Sequence, residues 1–164
     1  MTDFARLIKT LSRGRVAFIL VGGVAATVHG SARLTRDVDV VYDRSPENVA
    51  ALVRALEPIH PRLRGAPPEP PFRFDVPTIT AGLNFTLTTD VGDLDLFGEI
   101  AGGGTYAALA QDAMYIDVFG ERCRCLTLAQ LIATKRATGR PRDAEVVAEL
   151  EIIQARAGRE PGRR

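Results

Sequence analysis

The residues with the greatest chemical potential are four aspartates arranged as two pairs. Asp37 and Asp39 alternate with Val38 and Val40, and Asp93 and Asp95 alternate with Leu94 and Leu96. Residues two apart on an extended strand project from one face, so each pair holds its carboxylates a few ångströms apart while the apolar neighbours point into a core. Like charges that close repel unless a cation joins them. If the two strands are neighbours in one sheet, three or four carboxylates converge on one open face. Clustered hard oxygen donors suit Mg²⁺ or Mn²⁺, and two such ions about 4 Å apart clamp the attacking and leaving oxygens of a phosphoryl displacement. Acids also alternate with apolar residues in any half-exposed strand, so one pair alone is weak ground for a metal site.

A second feature lies upstream. Gly22-Gly23 ends the apolar run Val16–Val21 and precedes an alanine-rich segment, Val24 to His29, which the pattern predicts to be helical. Backbone N–H groups at such a strand-to-helix junction favour an anion, and the missing side chains allow a phosphate to come close, with a triphosphate the natural candidate. The competing reading is a tight turn that needs small residues for packing. GGVAATVHG lacks the G-x-G-x-x-G spacing, and nothing matches G-x-x-x-x-G-K-[ST], so neither a dinucleotide-binding domain nor a Walker-type ATPase is supported.

These groups need elements to position them. Phe4, Leu7, Ile8 and Leu11 have the spacing of one apolar helix face, predicting an opening helix from about Thr2 to Ser12. Asp37–Tyr42 reads as a strand, and Ser45 caps a helix with Pro46 in its first turn and Val49, Leu52, Val53 and Leu56 as its buried stripe. Seven of the ten prolines fall between Pro58 and Pro77, so 58–77 is expected to be an irregular loop or insertion. Leu83, Phe85 and Leu87, then Asp93–Phe97, form a hairpin pattern. Glycines at 98 and 102–104 mark a loop, a short helix covers Tyr106–Gln111, and Met114–Phe119 with Arg122–Leu126 predict a second strand pair. Thr127 is an N-cap for a helix that Gly139 ends, and Pro141 starts another that buries Val146, Leu150 and Ile153. The expectation is an α/β (α+β) chain with one domain over 1–155 and a disordered tail over 156–164.

Gly22-Gly23, Ala25, His29-Gly30, Arg33, Thr35 and Asp37-Val38-Asp39 read together as GGxAxxxHGxxRxTxDxD. This resembles the signature of the DNA polymerase β-like nucleotidyltransferase superfamily, whose third acid lies on a following strand in an apolar setting that Leu94-Asp95-Leu96 matches. The chain is most similar to small bacterial nucleotidyltransferases related to the abortive-infection toxins of toxin–antitoxin systems. Their C-terminal segment resembles LTLAQLIATKRATGRPRD, so the likeness spans most of 16–150. The resemblance implies a mixed central sheet flanked by helices, with the C-terminal helices packed on it. It implies that Asp37 and Asp39 hold two Mg²⁺ ions, or Mn²⁺, that Asp95 shares the metal activating an acceptor hydroxyl, and that Gly22-Gly23 grip the phosphates of an NTP. In-line attack on the α-phosphate then transfers a nucleoside monophosphate and releases pyrophosphate. Asp93 reads as hairpin surface.

Lysine occurs only at Lys9 and Lys135. Lys135 extends an apolar helix stripe, so its ammonium either meets a triphosphate or one of the acids, or snorkels at the edge of the core. Arg33 and Thr35 belong to the family-like motif, and Arg33 is placed to meet a phosphate; Arg36 is as well suited to solvent. Arg140 and Asp143 suit a local pair. Arg62, Arg64 and Arg73, in the proline-rich stretch, are suited either to a nucleic-acid acceptor or simply to solubility. His29 and His60 show no partner, and Cys123 and Cys125 suit ordinary packing rather than a disulfide or zinc site.

With 21 Lys+Arg against 20 Asp+Glu, net charge gives no grip on a large polyanion, although a local basic face still suffices to dock a tRNA end. RNA, protein and small-molecule hydroxyls therefore all stand as acceptors, and a cognate toxin–antitoxin partner is implied by the resemblance alone. A noncatalytic binding or interaction module of the same fold is the second reading; the presence of all three acids and both glycines argues against it. Basic residues up to Arg15 followed by the apolar run 16–28 superficially mimic a secretory leader, but Gly22-Gly23 breaks the run, which is short of the ~20 residues that span a bilayer. A cytoplasmic protein without membrane contact is expected.

Overall fold

The computed structural model describes residues 1–159. The chain forms α1 (Phe4–Arg13), β1 (Phe18–Val21), α2 (Gly22–Val28), β2 (Asp37–Tyr42), α3 (Pro46–Leu56) and, after one 3-10 turn, β3 (Arg62–Leu63). It continues through α4 (Val76–Ala81), β4 (Phe85–Thr89), β5 (Gly92–Phe97), β6 (Glu99–Ile100), β7 (Gly104–Thr105), α5 (Tyr106–Ala110), β8 (Met114–Val118), β9 (Glu121–Cys125), α6 (Leu128–Thr138) and α7 (Pro141–Arg159).

Seven strands make one mixed sheet in the order β3-β4-β5-β2-β1-β9-β8. The middle strand β2 runs antiparallel to β1 and parallel to β5, and β1 runs parallel to β9. Val38 and Val40 of β2 and Leu94 and Leu96 of β5 are fully buried, as alternation requires, which turns the aspartates between them to the opposite face. Helix α1 buries Leu7, Ile8 and Leu11 and packs on α3, β2, β5 and β9, while α2 packs on β1, β2 and α6. The result is a central mixed sheet flanked by helices, as expected.

Two polar staples fix the strands that carry the acids. Buried Asn48 of α3 accepts from the Ala17 N–H at 2.7 Å and donates to the carbonyls of Ala17 at 3.1 Å and Asp43 at 2.7 Å, tying the entry of β1 to the exit of β2. At the other end of β2, the Thr2 hydroxyl donates to the Arg36 carbonyl at 2.5 Å and accepts from the Asp93 N–H at 3.1 Å. The N-terminal segment thereby joins the start of β2 to the start of β5.

Some expectations are corrected. The stretch 58–77 is not wholly irregular: Arg62-Leu63 pair with β4, and α4 begins at Val76 with Pro77 in its first turn, where a missing N–H costs nothing. Gly22-Gly23 form the first turn of α2 instead of preceding it. The glycine loop holds the two-stranded β6–β7 ribbon. Helix α7 extends to Arg159, beyond the start of the expected tail at 156, and residues 160–164 lie outside the described residues. Among the described residues no helix is long and apolar enough to cross a membrane.

Candidate active site

The parallel register of β2 and β5 sets Asp37 opposite Asp93 and Asp39 opposite Asp95. Carboxylate oxygens of Asp37, Asp39 and Asp95 all lie within 4.8 Å of one another. The side chains of Asp37 and Asp95 are 29% and 15% exposed, so the cluster sits in a recess of the sheet and not on its surface. Asp93 stands at its margin, accepting from the Thr88 hydroxyl at 3.0 Å, and is drawn inward from the surface position expected for it.

Asp39 bears the strain of the arrangement. Its Oδ1 is buried without a hydrogen-bond partner. Burial, reinforced by the charges of Asp37 and Asp95 and only partly offset by Lys135, pushes its carboxyl up to about 8. Burial also raises the Asp95 carboxyl, with Arg64 pulling in the other direction. A divalent cation among these oxygens would relieve both the repulsion and the orphaned Oδ1. The donors are hard oxygens throughout, so the residues fit Mg²⁺ or Mn²⁺.

The glycines have a steric reason to be where they are. Gly22 adopts φ +63°, and a Cβ there would collide with the Asp39 carboxylate; at Gly23 it would stand 2.6 Å from the Thr35 hydroxyl oxygen. The tight-packing reading therefore accounts for both residues without a ligand. The same turn also leaves the start of α2 open, since Val21 at the N-cap supplies no side-chain hydrogen bond to the first N–H groups.

A cleft of about 550 Å³ joins the acids to most of the other expected residues. Gly23, Arg33, Thr35, Asp37, Asp39, Asp95 and Lys135 all line it. Gly22 lines an adjoining cleft of about 340 Å³ that shares Asp39, Phe97, Lys135 and Arg140 with the first. The Thr35 hydroxyl donates to the Asp37 carbonyl at 3.2 Å. Arg33 is turned partly aside, paired with Glu145 at 3.4 Å and Glu149 at 3.8 Å on α7. Lys135 sends its ammonium to 4.0 Å from the buried Asp143 carboxylate, which also accepts from Arg140 at 2.7 Å and from the Thr138 hydroxyl. The local Arg140–Asp143 pair expected from sequence is thus present, and it holds Arg140 in the lining of both clefts.

Arg64 was assigned by sequence to an acceptor or to solubility, and the structure places it elsewhere. Its guanidinium reaches Asp95 at 2.8 Å, Asp93 at 3.4 Å and Asp37 at 3.7 Å. Arg62, by contrast, joins His60 and Asp90 in an exposed cluster on the outer edge, with Arg62 3.2 Å and His60 2.5 Å from Asp90. His29 pairs with the Leu126 carbonyl at 2.8 Å. Cys123 and Cys125 are buried and free.

No family model and no curated protein matches the chain. Solved structures do. A Thermotoga maritima protein provisionally assigned as a nucleotidyltransferase aligns over 91% of this chain and 94% of its own, with TM-score 0.56 and 14% identity. The lincosamide antibiotic adenylyltransferase LnuA, with lincomycin bound, aligns over 93% of this chain and 98% of its own, with TM-score 0.60 and 16% identity. The chain shares the fold of these proteins.

Proposed function

We propose that this protein is a metal-dependent nucleotidyltransferase, which transfers a nucleoside monophosphate from an NTP to an acceptor hydroxyl. The observation that carries the reading is the convergence of Asp37, Asp39 and Asp95 within 4.8 Å on adjacent parallel strands, beside the uncapped start of α2. The likeness in fold to two proteins named for this chemistry supports it.

The three acids would hold Mg²⁺ or Mn²⁺, and the bound metal would neutralise phosphate charge and favour the ionised form of the acceptor hydroxyl. The chain's own part is mainly positioning and electrostatics. The N–H groups at Gly22-Gly23, which no N-cap side chain engages, would receive phosphate oxygens, and Lys135 and Arg140, braced by Asp143, would supply compensating positive charge. Thr35 orders the approach to Asp37, and Arg33 extends the basic wall of the cleft. The acceptor hydroxyl gives its proton to solvent, its oxygen forms a bond to the α-phosphorus as the bond from that phosphorus to the bridging α–β oxygen breaks, and pyrophosphate leaves.

The toxin–antitoxin role rests on the sequence resemblance alone, and a small-molecule acceptor draws support from the likeness in fold to a lincosamide antibiotic adenylyltransferase. Label transfer from each α-labelled NTP, with Mg²⁺, into total cellular RNA, protein and small molecules tests the reading. Wild type should transfer label and Asp39→Asn should not; sensitivity of the product to RNase or protease sorts the acceptor. Equal labelling by both proteins would contradict the assignment.

A further inference from the structure

We infer that Arg64 is a resident cation of the acidic centre, in competition with divalent metal for Asp95 and Asp37, so that metal loading and withdrawal of the segment bearing Arg64 are one event. The inference rests on the reading of the acids as a metal site and adds a residue that the sequence motif does not contain. Its guanidinium contacts three carboxylates from two strands and is held in place by a hydrogen bond from its Nη2 to the Leu87 carbonyl at 2.7 Å. A monovalent, delocalised cation placed there stabilises carboxylates that would otherwise repel one another.

The arrangement is incomplete in two ways. The Nε of Arg64 is buried with no properly directed acceptor, and the Oδ1 of Asp39 is buried with no donor. The guanidinium therefore serves Asp95 well and Asp37 weakly, and leaves the most strained oxygen of the cluster unserved. A small divalent ion concentrates twice the charge at one point and fits between oxygens that already lie within 4.8 Å of one another. Both cations cannot hold Asp95 and Asp37 fully at once.

The segment is built to yield. Arg64 follows an edge strand of two residues, β3, and its own N–H makes a single backbone bond, to the Thr86 carbonyl at 3.0 Å. Residues 65–70, which follow it, are all exposed, so no burial on that side resists withdrawal.

Calorimetric titration with Mn²⁺ alone, without nucleotide, tests this on wild type, Arg64→Gln and Arg64→Lys. Removing a charge-assisted competitor should tighten Mn²⁺ binding about tenfold or more in Arg64→Gln, with Arg64→Lys between it and wild type. In wild type, Mn²⁺ should also speed hydrogen exchange at the Arg64 amide. Unchanged or weaker binding by Arg64→Gln would overturn the inference while leaving the metal site standing, because Arg64 would then be a brace that organises the acids. Absence of Mn²⁺ binding in all three proteins would overturn the metal reading as well. Should Arg64→Gln fail to fold, the wild-type exchange measurement decides alone: faster exchange supports the inference and unchanged exchange rejects it.

Discussion

Asp39 concentrates the energetic cost of the site in one side chain. Its carboxyl is pushed up from the ordinary 3.8 to about 8, chiefly by burial and then by the charges of Asp37 and Asp95 beside it. The folded state therefore binds a proton that the unfolded state has released, and stability falls as pH rises between those values. In chelator, Asp39→Asn should melt higher than wild type at pH 8, with the advantage shrinking as pH approaches 4; thermal unfolding at both pH values checks this, and a variant that melts lower at pH 8 would refute it. Gly22→Ala should cost about 1–2 kcal/mol from its positive φ alone, and more from the collision with Asp39, measured by denaturant unfolding. The aspartate pairs were legible in the sequence because a period of two is a local property. Arg64 was not. It meets Asp95 at a sequence separation of 31, from a proline-rich segment that carries no periodic signal, so nothing local distinguishes it from Arg62, which faces the other way.

Among the elements, the decisive step is the parallel pairing of β2 with β5. The β4–β5 hairpin was readable from its alternation and turn, but adjacency between strands separated by α3 and the proline-rich segment is a tertiary outcome. Thr2, which joins the start of β2 to the start of β5, and Asn48, which ties β1 to β2, are single polar residues without a sequence signature. Asn48→Ala should lower stability by about 1–3 kcal/mol, because it leaves the part-buried Ala17 N–H and Asp43 carbonyl without their partner; chemical denaturation measures this. The join between α6 and α7 makes a separate prediction. Burial alone would raise the Asp143 carboxyl, yet hydrogen bonds from Thr138 and Arg140, with the charges of Arg140 and Lys135, hold it below its ordinary 3.8. Its contribution is therefore present above that value and lost as pH falls through the lower, folded-state value. Asp143→Asn should be less stable than wild type at pH 7, and the difference should disappear in strong acid. Helix ends at Thr127, Gly139 and Pro141 were all foreseen, because caps and breakers act within a few residues.

For the molecule as a whole, balanced charge conceals local asymmetry. Arg33, Arg36, Lys135, Arg140 and Arg142 share one cleft with the three acids, which suits a polyanion held by metal better than it suits a long nucleic acid gripped by net charge. Cys123 and Cys125 lie inside β9, and burial first, with neighbouring negative groups second, pushes their thiols up to about 11 and about 12. A thiol reagent at pH 8 should therefore label neither until the protein unfolds, so labelling rate reports global stability. The most direct test of the central claim needs no acceptor: thermal stabilisation by Mg²⁺ with a nonhydrolysable NTP, compared among wild type, Asp37→Asn and Asp95→Asn. Binding to the folded state must raise the melting temperature. Wild type should show a Mg²⁺-dependent rise that both variants lose. An equal rise in all three proteins, or none in wild type, would contradict it.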